Sequence, residues 1–177
     1  DVCILVIDAE RGIESQDQRI FHIADRNKKG IVILVNKWDL LDKSTETAKK
    51  AEEQIKSKIA PFTDIPIVFV SALEKQRLLK GLETAIFVHK NRSQKIATSV
   101  LNEVMLPLIE HNPPPATKGK YIQIKYCTQL PTDTPTFVFF ANLPQYIKEP
   151  YKRYIENQLR EHFTFSGVPI QIYFRKK

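Results

Sequence analysis

The chain has 177 residues, of which 42% are hydrophobic and 27% charged, and its net charge is +7. That composition is ordinary for a globular protein, and the length suits one large domain or two small ones, each with a buried core. No apolar run approaches the ~20 residues needed to span a bilayer, and no basic-then-apolar leader is found among these residues. The two cysteines, Cys3 and Cys127, lie in strand-like apolar stretches and are expected to be buried thiols in a reducing compartment.

Charge is unevenly spread. Residues 1–90 carry 15 Lys/Arg against 14 Asp/Glu, a balance of +1, whereas residues 91–177 carry 12 against 6, a balance of +6. All six tyrosines also fall in the second stretch. Two regimes in one chain predict two domains, 1–92 and 93–177, joined near Lys90–Lys95. A basic, tyrosine-rich domain suits a polyanion such as RNA, although solvated charges around a tyrosine-containing core would give the same composition.

In the first half, strands alternate with helices. VCILVID (Val2–Asp8) is a near-continuous apolar run, and ESQDQRIFHIADRNKK then reads as a helix ending at Gly30. Its buried stripe is expected at Ile20, Phe21, Ile23 and Ala24. GIVILV is a second strand, and Lys43–Ala60 a helix with Ser44 or Thr45 as N-cap and a Glu52/Lys56 pair at i,i+4. IPIVFVSA is a third strand, followed by a helix from about Gln76 to the Asn91 region. Apolar strands separated by helices predict an α/β unit with a parallel sheet covered on both faces. The chain opens at Asp1, at the threshold of a strand, which reads as a cut.

The second half predicts an α-β-β-α-β order, an α+β domain with helices on one side of a small sheet. Ile96–Glu110 is helical and is stopped by Pro113–Pro115; YIQIKYC and PTFVFFAN are strands separated by turn formers. Lys148–Phe163 is a helix with Pro150 in its first turn and a stripe at Tyr151, Tyr154, Ile155, Leu159 and Phe163. VPIQIYF closes the sheet, and the last three residues, RKK, trail into solvent.

The chemistry concentrates where GIVILV breaks into Asn36, Lys37, Trp38 and Asp39. Ligands of an open parallel sheet bind outside the carboxyl ends of its strands, and Ser71-Ala72 ends the neighbouring strand at the same rim. Guanine presents two donors side by side, its N1–H and its exocyclic amine, and one carboxylate, Asp39, accepts from both. Adenine has an acceptor at the equivalent nitrogen and is repelled. Asn36 either bonds the base edge or ties the two loops together, and the stem of Lys37 can lie along the ring.

N-K-x-D followed by a strand ending in S-A resembles the guanine-recognition elements of the Ras-like GTPase superfamily. That resemblance assigns base reading to Asp39, stacking to Lys37 and a contact with the base carbonyl to the Ala72 amide, with Trp38 at the variable position. The G-x-x-x-x-G-K-[ST] element that cradles phosphates is absent from these residues: the Gly119-Lys120 pair has Pro114 where the first glycine belongs. D-x-x-G is absent too, since Asp8 is followed by Gly12, four residues on. The 177 residues alone are therefore expected not to hydrolyse GTP and to hold no magnesium ligand.

The resemblance goes further. DVCILVIDAERGIESQDQRI, GIVILVNKWDLL, the PPP-to-GK linker at Pro113–Lys120, YIQIKYCTQLPTDTPTFVFFAN, YKRYIENQLREHF and GVPIQIYFRKK together resemble the Der (EngA) family of bacterial double GTPases with a C-terminal KH-like domain. The resemblance implies the later strands of the second GTPase domain followed by the KH-like domain. It also implies GTP/GDP as ligand, with magnesium in the intact parent. Expected partners are the upstream GTPase domains and the large ribosomal subunit or its rRNA, in the bacterial cytoplasm. No G-x-x-G loop of the RNA-gripping kind occurs after residue 90. RNA contact is accordingly expected on a basic surface: Lys118, Lys120 and Lys125, Lys152, Arg153 and Arg160, and Arg175, Lys176 and Lys177. Lys152 and Arg153 would equally serve as an intramolecular brace, and for each of these charges a solubilising role is the alternative. An Era-type GTPase and a non-catalytic RNA- or ribosome-binding module on a nucleotide-fold scaffold are the competing readings. An unpaired Val2–Asp8 edge is expected to favour self-association.

Overall fold

The computed structural model describes residues 1–41, 44–117 and 119–176. They form two compact units, Asp1–Arg92 with Ser166–Pro169, and Ser93–Phe165 with Ile170–Lys177.

The first unit is built from β1 (Val2–Asp8), α1 (Ser15–Arg26), β2 (Gly30–Asn36), α2 (Thr45–Ile59), β3 (Ile67–Phe69) and α3 (Leu78–Ser93). The sheet runs β1-β2-β3, wholly parallel, with Val2 opposite Gly30 and Asp8 opposite Asn36. β2 is central and buried up to Asn36, as its unbroken apolar sequence requires. Its alternating side chains feed two cores. Ile31, Ile33 and Val35 join Phe21 of α1 and Ile55 and Ile59 of α2, while Val32 and Leu34 join Val88 of α3.

Ser44 caps α2 by accepting the Thr47 amide at 3.0 Å, and Glu52 pairs with Lys56 at 2.6 Å. Lys43, where the sequence starts this helix, lies outside the described residues. β3 is only three residues long, shorter than IPIVFVSA implies.

Two further expectations are corrected. α1 buries Phe21 and Ala24 but leaves Ile20 and Ile23 exposed, because each successive residue turns ~100° around a helix and the four cannot share one narrow contact. Cys3 is exposed: it opens an edge strand, and only Leu5 and Ile7 beyond it reach the core.

Ser166–Pro169 group with this unit, although their place in the sequence puts them in the second domain. Gly167 accepts the Ile31 amide at 2.7 Å and donates to the Asp64 carbonyl at 2.8 Å, and Val168 is fully buried against Val32 and Val88. Gly167 adopts φ +76°, and a Cβ there would lie 2.5 Å from a Val88 methyl. Only glycine fits without displacement.

The second unit contains α4 (Thr98–His111), β4 (Ile124–Gln129), β5 (Thr136–Ala141), α5 (Glu149–His162) and β6 (Gln171–Lys176). The sheet order is β4-β5-β6, with β4/β5 antiparallel and β5/β6 parallel. Leu101, Met105 and Ile109 of α4 and Tyr151, Ile155 and Leu159 of α5 share one core with Cys127, Phe137, Phe139 and Ile172 of the strands. The buried tyrosine hydroxyl of Tyr151 donates to the Asn112 carbonyl at 2.9 Å, which satisfies a carbonyl just past the end of α4. Asn102 of α4 brackets the edge strand β4, donating to the Cys127 carbonyl and accepting its amide. Arg175 and Lys176 are exposed but do not trail past the sheet as expected. They are the last residues of β6, paired with Phe140 and Ala141.

Candidate functional site

Three chain segments meet at the carboxyl end of the parallel sheet. β2 stops at Asn36, Lys37 turns left-handed at φ +64°, and Trp38–Leu40 form a single 3-10 turn. A left-handed backbone costs a residue with a side chain roughly 1–2 kcal/mol, so something must hold it. The Ala9 amide bonds the Asn36 carbonyl at 2.9 Å, and the Trp38 amide bonds the Val70 carbonyl at 3.1 Å. Trp38 itself is buried, with its ring 4.2 Å from that of Phe69. It therefore underpins the loop from the core side.

Asn36 settles on one of its two expected roles. Its side-chain oxygen accepts the Ala72 amide at 2.9 Å and so ties the β2 and β3 loops together. The second loop is closed on itself: Ser71 is buried, its hydroxyl accepts the Glu74 amide at 3.0 Å, and its backbone pairs with Gln76. The Ala72 amide is thereby engaged with Asn36, and contact with a base carbonyl requires that this donor be shared. Asp39 is half-buried on the turn, and among the described residues its carboxylate has no hydrogen-bond or ion-pair partner.

Lys37 reaches back to Asp8 at 2.7 Å, so its half-exposed stem crosses from β2 to β1. The hydrogen bond from the Lys37 ammonium, followed by the Glu10 amide, holds the Asp8 carboxyl below its ordinary range. The same carboxylate raises the Lys37 ammonium. Asp8 is the site residue that sequence reasoning missed. Its signal was available: VCILVID and GIVILVN are apolar runs of equal length, each ending in a polar residue, and in parallel register those ends coincide.

The basic residues proposed for RNA separate into groups. Lys118 and Lys177 lie outside the described residues. Arg160 is turned inward, bonding Glu156 at 2.9 Å and the Phe165 carbonyl at 3.2 Å, which leaves little of it for a phosphate. Lys152 pairs with Glu149 at 3.6 Å, and Arg153 is exposed on α5. Lys120, Lys125, Arg175 and Lys176 are exposed. Among the described residues no cluster of His, Cys, Asp or Glu is arranged to hold a metal ion, and no helix is long and apolar enough to cross a membrane.

Comparison with known proteins finds two family matches, relatives that align with the whole chain and a partial structural overlay. Residues 1–112 match the elongation factor Tu GTP-binding domain, and residues 95–175 match the KH-domain-like region of EngA bacterial GTPase enzymes, C-terminal. The chain is 64% identical over its full 177 residues to a Flavobacterium johnsoniae protein named GTPase Der, and 63% identical over its full length to that of Bacteroides fragilis. It spans 40% and 41% of those two relatives. A solved structure, translation elongation factor SelB from Methanococcus maripaludis in its apo form, overlays 55% of this chain and 22% of its own at 24% identity and a TM-score of 0.45. The chain belongs to the Der (EngA) GTPase family, with GTP-binding-domain residues followed by the family's KH-like domain.

Proposed function

We propose that the first unit is the guanine-reading part of a GTP-hydrolysing protein of bacterial ribosome assembly. The observation that carries the guanine reading is the coupling of the two loops by the Asn36–Ala72 hydrogen bond, beside the open carboxylate of Asp39. A carboxylate held on a short turn accepts two parallel donors, as guanine offers and adenine does not. Asn36 acts through the loops, and Lys37, tethered to Asp8, supplies an apolar stem along the rim. Phosphate cradling, magnesium and hydrolysis require elements that these 177 residues do not contain. The chain by itself is inactive toward GTP, and the intact protein supplies the rest from upstream GTPase domains. The basic second unit contacts the large ribosomal subunit or its rRNA, in the cytoplasm. The exposed β1 edge, with Ile4 and Val6 in solvent, favours self-association of the isolated chain at high concentration.

The test is Asp39→Asn. The amide offers a donor where xanthine offers a carbonyl, so preference moves from guanosine to xanthosine diphosphate by at least about tenfold, the worth of one charge-assisted hydrogen bond. Unchanged selectivity overturns the role of Asp39.

A further inference from the structure

We infer that the end of the second unit's sheet at which β4 begins and β5 and β6 finish is a single-stranded RNA surface, with Tyr121 as its base-stacking platform. This rests on the reading of that unit as an RNA-contacting domain, and it says which face does the work.

The register gathers the end. Ile124 lies opposite Ala141, and Ala141 opposite Lys176, so Lys125, Arg175 and Lys176 project from one extremity of three adjacent strands. These are the only charged residues on β4, β5 and β6. Of the six carboxylates after residue 92, Asp133 lies in the β4–β5 turn at the opposite end of the sheet and the other five lie on the helices α4 and α5, where Glu149 pairs with Lys152 and Glu156 with Arg160. Leading into β4, Lys120 stands 5.5 Å over the ring of Tyr146, which adds a cation to the same end. Strand ends whose own charged residues are all cations neutralise phosphates.

Tyr121 supplies what a merely soluble rim would not need. It is 84% exposed, yet its backbone is fixed: Asn142, just past β5, donates to the Tyr121 carbonyl at 3.1 Å and accepts the Gln123 amide at 2.9 Å. A ring held in solvent on a pinned backbone loses little ordering entropy when a base stacks on it. Unpaired bases offer a free face to such a ring, whereas a duplex keeps its bases stacked internally. An anionic lipid surface would use the cations but has no stacking partner for the tyrosine.

The experiment uses the 177-residue chain and a labelled ten-nucleotide mixed-sequence oligoribonucleotide, with binding followed by fluorescence anisotropy from 50 to 200 mM KCl. Tyr121→Ala weakens binding about tenfold and leaves the salt slope unchanged. The triple change Lys125→Ala, Arg175→Ala, Lys176→Ala lowers the slope by about 2, at roughly 0.7 for each phosphate that is no longer neutralised. Lys49→Ala, exposed on α2 of the first unit, changes neither. RNA bound equally well by both surface variants overturns this surface while leaving the RNA reading standing. No binding at 50 mM KCl overturns that reading as well. Equal affinity for duplex RNA or for anionic phospholipid vesicles overturns the stacking role.

Discussion

The two units treat their apolar residues differently. In the second, the helix stripes and strand alternation close into one core, and the side chains marked as buried in the sequence are buried or half-buried in the structure. In the first, apolar sequence exceeds apolar burial: Ile4 and Val6 on β1, Ile20 and Ile23 on α1, and Leu79, Leu82 and Ile86 on α3 are exposed. A three-stranded parallel sheet has two edges, and among the described residues nothing pairs with β1 on its outer side. The open unit holds its polar chemistry on loops at strand ends, and the closed unit carries its chemistry as exposed charge on a finished scaffold.

The sharpest way to break this contrast uses its two thiols. Cys127 is buried, and burial pushes its thiol from 9.0 up to about 12, a loss of about a thousandfold in thiolate at neutral or mildly alkaline pH. Cys3 is exposed on the open edge. A maleimide or disulfide reagent at pH 8 should modify Cys3 on mixing and Cys127 only after unfolding. Comparable rates would mean that the second core is not closed. The sign of the Cys127 shift also sets a pH limit: a raised thiol favours the folded state fully below pH 9, and that contribution fades as pH rises toward 12.

A smaller effect is expected at Gly167. In Gly167→Ala the new Cβ meets Val88 at 2.5 Å and the Ile31 carbonyl at 2.9 Å, at a φ of +76°. Overpacking and left-handed strain together cost about 2–4 kcal/mol. Because Ser166–Pro169 belong to the first unit, the loss should appear in the transition followed through Trp38. An unchanged Trp38 midpoint would contradict that membership.

The smallest effect is at the exposed Asp8–Lys37 pair. The depressed Asp8 carboxyl contributes above its ordinary pKa of 3.8, and that contribution is lost as pH falls through its lower folded value. The raised Lys37 contributes below 10.5, and that contribution is lost as pH climbs through its higher folded value. Asp8→Asn should therefore flatten the acid limb of the stability profile and loosen the Lys37 stem, with little change near neutrality. An acid limb identical to that of the parent would remove Asp8 from the rim.

What was legible in the sequence is what local pattern encodes. The break from GIVILV into Asn36–Asp39 and the Ser44 cap each depend on neighbours in the chain. Asp8 was legible only indirectly: its partner lies 29 residues away, and the pairing follows from the matched lengths of two apolar runs once their parallel register is known. Trp38 sits in a polar motif, but its ring answers to Phe69 in the core and not to the motif around it. Arg160 reads as one more surface cation until Glu156 and the Phe165 carbonyl are seen to hold it. Gly167 looks like a turn glycine, and its tie to Ile31 and Asp64 is a long-range backbone match that composition does not carry.

In the proposed function, Asp39 and the coupled loops select guanine without help from phosphate contacts. The most direct measurement is a titration of the 177-residue chain with GDP and, separately, with ADP, followed by the fluorescence of Trp38, the sole tryptophan, buried beneath the loop. Charge-assisted bonds of about 1.5–3 kcal/mol each give roughly millimolar affinity at best. A saturable response to GDP with none to ADP is the result expected. Equal responses to both nucleotides, or none to either, would contradict it.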